Sequence, residues 1–159
     1  MEEGNRSLPG RILAIDFGTK RIGLAVSDAL GITAQGLPTR ERTRIDDDLR
    51  YFQDYVTEHE VALVIVGNPV SQAGSETTMS QQAARFAEKL ARRVGCPIKL
   101  WDERLTTAEA MRMLRESGIG IEKRRRARDR VSATLLLQSY LDFQANEKSR
   151  NTIAGPVNS

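Results

Sequence analysis

Three rhythms of apolar and polar positions succeed one another along this chain, and the changes of rhythm mark out its elements. Arg11 to Phe17 and Arg21 to Ser27 are apolar, β-branched-rich runs separated by a short turn at Gly18-Thr19, the pattern of two paired strands. Ile32 to Thr39, interrupted by Gly36 and ended near Pro38, adds a third strand and completes an antiparallel meander. The period then lengthens. Ile45, Leu49, Phe52 and Val56 recur at helical spacing, with Thr43 expected as the N-cap and Asp46, Asp47 and Asp48 near the positive end of the helix dipole. That position makes the acidic triplet a capping feature rather than a metal site. Val61 to Val66 is a continuous apolar run, as in a strand buried on both faces, and Gly67-Asn68-Pro69 is expected to stop it.

A second helix is expected from about Thr77 to Val94. Ala83, Phe86, Ala87, Leu90, Ala91 and Val94 share one of its faces, with Gly95 as the C′ residue. Pro97 to Trp101 forms a short strand that runs into Asp102-Glu103-Arg104. Thr106-Thr107-Ala108-Glu109 has capping-box spacing and opens a helix ending near Gly118. The last helix, roughly Arg128 to Gln144, is apolar around most of its circumference through Val131, Leu135, Leu136, Leu137, Tyr140, Leu141 and Phe143, so it should lie buried against the sheet. A meander followed by alternating helices and strands predicts an α/β fold, a mixed sheet with helices on both faces. One domain, 11–146, is expected between a flexible N-terminal segment, 1–10, and a flexible tail, 147–159.

Composition narrows the class. With 159 residues, 40% hydrophobic and 28% charged, the chain suits one soluble domain. Its longest apolar stretch, Val61 to Val66, falls far short of the roughly 20 residues of a membrane span. The N-terminus carries Glu2 and Glu3 with no apolar core of a signal, and the single cysteine, Cys96, has no internal partner, so a cytoplasmic location is expected. The net charge of +3 is modest but uneven: Lys123 to Arg130 sets six cations around Asp129.

Three carboxylates occupy comparable places. Asp16 ends the first strand, Glu103 follows the last strand, and Asp129 is expected at the start of the final helix. Carboxyl ends of neighbouring strands in such sheets share one edge, where sites form. A helix crossing the sheet can bring Asp129 to the same edge, with its dipole favouring the ionised acid. Clustered carboxylates raise one another's pKa unless a cation intervenes, which predicts a hard, oxygen-preferring metal, Mg²⁺ or Mn²⁺. Zinc does not fit a chain whose only histidine is His59 and only thiol Cys96. Two such ions about 4 Å apart hydrolyse phosphodiesters without a protein nucleophile. Lys20, Arg21, Arg104, Lys123, Arg124, Arg125, Arg126, Arg128 and Arg130 are the expected phosphate contacts. Trp101 alone offers a large stacking surface, so recognition of single strands by stacking is not indicated.

Four segments carry a family resemblance: Ala14 to Gly23 (AIDFGTKRIG), Val64 to Pro69 (VIVGNP), Asp102 to Ala110 (DERLTTAEA) and Asp129 to Leu141 (DRVSATLLLQSYL). In this order they resemble the YqgF/RuvX family of pre-16S rRNA nucleases and Holliday junction resolvases, within the ribonuclease H-like superfamily. The resemblance implies a five-stranded mixed sheet and places Asp16, Glu103 and Asp129 at the family's three acidic positions, as metal ligands and catalytic groups. It implies a metal-dependent, two-metal-ion endonuclease acting on structured nucleic acid. The expected task is processing of the 5′ end of pre-16S rRNA during ribosome biogenesis, with branched DNA as the alternative substrate and a non-catalytic nucleic-acid-binding module as a further alternative. No membrane partner is expected, and the chain is expected to be a monomer or weak homodimer. Asn68 and Ala73 depart from the family pattern, which has an apolar residue and often an acid there. The first motif also resembles that of actin-like ATPases and sugar kinases, but those enclose a nucleotide between two such domains and this chain has room for one.

Overall fold

Alternation along the first strand sets the architecture. Residues 10–69, 73–103 and 121–153 are described by the structure, a computed structural model, with the side chains of 121–130 and 151–153 outside that description. Strand β1, Arg11–Phe17, sends Leu13, Ile15 and Phe17 to one face of the sheet and Ile12 and Ala14 to the other. Nearly every residue is buried because both faces are covered. β2, Arg21–Ser27, and β3, Ala34–Glu41, complete the meander, and β4, Val61–Asn68, and β5, Ile98–Asp102, add parallel strands. The five strands lie in the order β3-β2-β1-β4-β5. This is the mixed sheet that the pattern predicts.

Helices α1, Ile45–Glu58, and α2, Thr78–Ala91, cover the face of Leu13, Ile15 and Phe17, where Phe52 and Phe86 fill the core. The opposite face is covered by α3, Ile121–Ile153, through Ala133, Leu136, Leu137, Tyr140 and Leu141. Trp101 fixes β5 to α3: its indole N–H donates to Ser139 Oγ at 3.1 Å and its ring meets that of Tyr140 edge-on at 5.0 Å. Among the described residues, no helix is long and apolar enough to cross a membrane.

Several boundaries differ from the sequence reading, each for a local reason. β3 begins at Ala34 rather than Ile32, because Asp28 Oδ1 accepts the backbone N–H of Ile32 at 2.7 Å and of Thr33 at 3.2 Å and holds them in the turn. Arg44, not Thr43, is the N-cap of α1. Thr43 instead donates its hydroxyl to Asp48 at 2.8 Å, so the acidic triplet serves the helix start through a side chain that reaches back beyond the cap. Thr77 caps α2 as a full capping box with Ser80, but the helix ends at Ala91, and Gly95 is not its left-handed C′ residue. β4 runs two residues past Val66 and ends at Asn68, within the stop expected at Gly67-Asn68-Pro69.

The final helix differs most. It begins at Ile121 rather than near Arg128 and runs on through Ile153. Lys, Arg, Glu and Ala are good helix formers, so the basic run propagates a helix with no apolar period to announce it. Its burial is also narrower than expected, since Phe143 is 48% exposed. The helix expected from Thr106 to Gly118 lies outside the described residues, as do most of the N-terminal segment and the end of the C-terminal tail.

Candidate functional site

Asp16 lies opposite Gly23 in the β1–β2 ladder and, two residues on from Ala14, faces the α3 side of the sheet. An Asp in this position can serve either the adjoining turn or a site. The turn is closed by other groups: Gly18 N–H donates to the Arg21 carbonyl at 3.0 Å, and Arg42 Nη1 donates to the carbonyls of Gly18 and Thr19, each at 3.1 Å. Asp16 is turned instead toward Glu103 and shares a side-chain hydrogen bond with it. The two strand-end acids therefore converge, although they stand 87 residues apart in the chain, 103 less 16.

Register brings Glu103 there. β5 runs parallel to β4 with Gly67 beside Trp101 and Asn68 beside Asp102, and Glu103 N–H continues the ladder to the Asn68 carbonyl at 3.3 Å. Trp101 packs toward α3, so Glu103, two residues on, projects from the same face as Asp16. Its carboxylate lies over Gly67, where an added Cβ would collide with Oε1 and come within 2.7 Å of Cδ. Gly67, on the strand between β1 and β5, thus supplies the space that the carboxylate fills. Sequence reasoning passes over this glycine as a strand stop. The available signal is the glycine inside an otherwise β-branched strand, which often marks a close approach.

The pair is electrostatically strained. Glu103 is pushed up to about 10, first by burial, then by its hydrogen bond to Asp16 and by the negative charges of Asp16 and Asp102. Without a cation, Glu103 keeps a proton at neutral pH, which bridges the two acids. Carboxylate oxygens without histidine or thiolate are the donor chemistry of a hard divalent ion, and such an ion replaces the shared proton with a larger positive charge. His59 is elsewhere, at the end of α1, with its ring stacked on Tyr55 at 3.9 Å. Among the described residues, no third His, Cys, Asp or Glu joins the pair in a metal-holding set.

Asp129 falls within α3, more than two turns after Ile121, rather than at its N-terminus. The dipole effect is confined to the first turn, so it does not act there. Helical spacing instead places position 129 one turn before Ala133, on the stripe that Leu136, Leu137 and Tyr140 continue across the sheet. The Asp129 side chain lies outside the described residues, as do those of Lys123, Arg124, Arg125, Arg126, Arg128 and Arg130, whose backbone is helical; Arg104 lies wholly outside them. Lys20 is exposed in the β1–β2 turn. Arg21 opens β2 on the same face as Gly23, and so on the face of Asp16.

The chain has relatives among known proteins. Residues 10–143 match the family RuvX, described as Holliday junction resolvase. A curated protein of Koribacter versatilis (strain Ellin345) is 47% identical over 133 residues, which span 84% of this chain and 87% of that one. One of Myxococcus xanthus (strain DK1622) is 43% identical over 132 residues, 83% and 87% of the two chains. Both bear the name "Putative pre-16S rRNA nuclease". Among solved structures, the yeast mitochondrial Holliday junction resolvase superposes with a TM-score of 0.56 at 11% identity, covering 91% of this chain and 83% of that one. Thermus thermophilus RuvC gives 0.52 at 14% identity over 85% and 96%. At such identities the likeness shows the fold, which is ribonuclease H-like.

Proposed function

This chain belongs to the RuvX family of Holliday junction resolvases, and from that premise we propose that it is a divalent-metal-dependent endonuclease in which Asp16, Glu103 and Asp129 hold the metal. The observation that carries the proposal is the convergence of the Asp16 and Glu103 side chains, hydrogen-bonded to each other at one end of the sheet. Those acids would hold Mg²⁺ or Mn²⁺, which would supply water activation and charge stabilisation at the scissile phosphate. The protein's own contribution is placement. β1 and β5 carry their acids to one point, Gly67 leaves the room, and Trp101 holds β5 against α3. Arg21 and Lys20 border the acids and offset the phosphate charge that the carboxylates would otherwise repel. Lys123, Arg124, Arg125, Arg126, Arg128 and Arg130 are proposed as further phosphate contacts.

The substrate we assign is a structured RNA, the pre-16S rRNA precursor for which the curated relatives are named, cleaved in the cytosol by a monomer. Branched DNA is the second reading, favoured by the family's description, and would call for a dimer because a symmetric junction needs two cuts. Purified protein is to be incubated with pre-16S fragments and four-way junctions, with and without Mg²⁺ or Mn²⁺, beside Asp16→Asn and Asp129→Asn. Metal-dependent cleavage of the RNA, lost in both variants with binding retained, is the expected result. Equal cleavage by wild type and Asp16→Asn overturns the assignment. Mass in solution, alone and with each substrate, separates the monomer from the dimer.

A further inference from the structure

A second basic feature lies on the other face of the same sheet edge. Phe17 follows Asp16 and points the opposite way, toward α1 and α2, where it stacks on Phe86 with ring centroids 4.6 Å apart. These rings floor an open groove lined by Phe17, Arg42, Ile45, Gln82, Arg85, Phe86 and Lys89. Among the described residues, no carboxylate lines it. Nearby acids are engaged elsewhere: Asp46 by Arg93 at 3.2 Å, Asp48 by Arg40 at 3.1 Å, and Glu88 by Arg92 at 3.8 Å. Arg42, Arg85 and Lys89 form no ion pair with a described residue. Three cations around a groove without a balancing acid make an anion site.

Arg42 sets the groove's relation to the acids. Its guanidinium lies 4.3 Å over the Phe17 ring while Nη1 holds the carbonyls of Gly18 and Thr19. The cation is therefore fixed to the turn that begins immediately after Asp16-Phe17. Exposed Lys20 lies in that turn, so positive charge continues from the acid face, around the sheet edge, into the groove. Phe17 is only 4% exposed, which leaves no ring face for a base to stack on. The chemistry suits phosphates spaced along a chain and is indifferent to base identity.

We propose that the groove of Arg42, Arg85 and Lys89 binds backbone phosphates of the substrate strand flanking the scissile bond, guiding that flank over the β1–β2 turn from the acid pair. This rests on the nuclease reading above and adds to it a second contact surface, on the face opposite the acids. Arg85 and Lys89 are exposed on α2 and can be changed without touching the core. The variant Arg85→Glu/Lys89→Glu is to be compared with Arg85→Lys/Lys89→Arg, which keeps the charge, and with Arg11→Glu/Arg150→Glu, which makes the same net change at exposed positions far from the groove. Affinity for a pre-16S fragment and for a four-way junction is measured by fluorescence anisotropy across a salt series, with melting temperature as the check on folding and cleavage assayed in parallel.

The groove reversal is expected to lower affinity roughly tenfold or more and to make the salt dependence shallower by roughly 1.5 in log–log slope, as for two lost phosphate contacts. The charge-keeping and distant variants should stay within about twofold of wild type. A groove variant that binds like wild type, or a distant reversal that is equally damaging, overturns the groove proposal and leaves the nuclease reading standing. Groove-dependent binding by a wild-type protein that never cleaves sinks the nuclease reading and sustains the groove. Wild-type protein that binds neither nucleic acid overturns both.

Discussion

Asp48 and Glu103 are two acids withdrawn from solvent on opposite faces of one sheet, and the fold treats them in opposite ways. Asp48 is fully buried, yet Arg40 reaches it through Nε and Nη2 at 3.1 Å, and Thr43 donates both its hydroxyl and its backbone N–H. It is a charge brought inside with its partners. Glu103 is brought instead against a second acid, Asp16, with Asp102 adding further negative charge. A folded chain keeps such a conflict where something outside the chain resolves it, as a cation does. The satisfied acid holds the start of α1 in place, and the frustrated pair marks the proposed site.

The comparison breaks first at Asp16. Asp16→Asn should reduce cleavage by roughly 10²–10³-fold or more, the scale of removing an essential electrostatic group, while leaving the fold at least as stable. Asp48→Ala should do the reverse. It strands a largely buried Arg40 and unties Thr43, at a cost of about 2–4 kcal/mol in urea denaturation, with turnover per folded molecule unchanged. A loss of activity without a loss of stability at Asp48 would show that the two acids are not divided in this way.

Elements with strong periodicity are legible in the amino-acid sequence: the meander, α1, β4 and α2 are spelled out by Ile12 to Val26, Leu49 to Val56, Val61 to Val66 and Ala83 to Leu90. The convergence of Asp16 and Glu103 is legible too, since both end strands whose carboxyl ends share an edge. The start of α3 is not, because residues 121–130 carry helix propensity without the apolar stripe that declares a helix. Sequence position assigns Asp48 to the helix terminus but does not reveal its long reach to Arg40. The groove is out of reach of sequence, because Arg42, Arg85 and Lys89 meet only through the packing of α1 and α2 against Phe17. Gly67 lies between these cases. A glycine in a β-branched strand is visible, but what fills its space depends on the β4–β5 register.

Gly67 offers the next, smaller test. Gly67→Ala places a methyl where the Glu103 carboxylate lies, so the acid must shift away from Asp16. A displacement of that kind should lower cleavage by roughly 10- to 100-fold and weaken Mn²⁺ binding, measured calorimetrically, while costing stability only about 1 kcal/mol. Unaltered Mn²⁺ affinity would mean that the glycine provides no room the site needs.

The smallest effect concerns stability alone, and its sign is diagnostic. In the metal-free protein Glu103 holds its proton to about pH 10, whereas in the unfolded chain it ionises near the ordinary 4.5. The resulting stabilisation is full below about pH 4.5 and is lost progressively as pH rises toward 10. Glu103→Gln keeps a neutral donor facing Asp16 and has nothing to titrate. Without metal it should therefore melt close to wild type at pH 5 and above it at pH 8. Mn²⁺ should then raise the wild type at pH 8 and leave the Gln variant nearly unmoved, reversing their order, because only the ionised pair gains a cation. Melting curves of the two proteins at both pH values, with and without Mn²⁺, measure this directly. Parallel curves throughout would place Glu103 with Asp48, as a satisfied acid, and remove the distinction on which the site assignment stands.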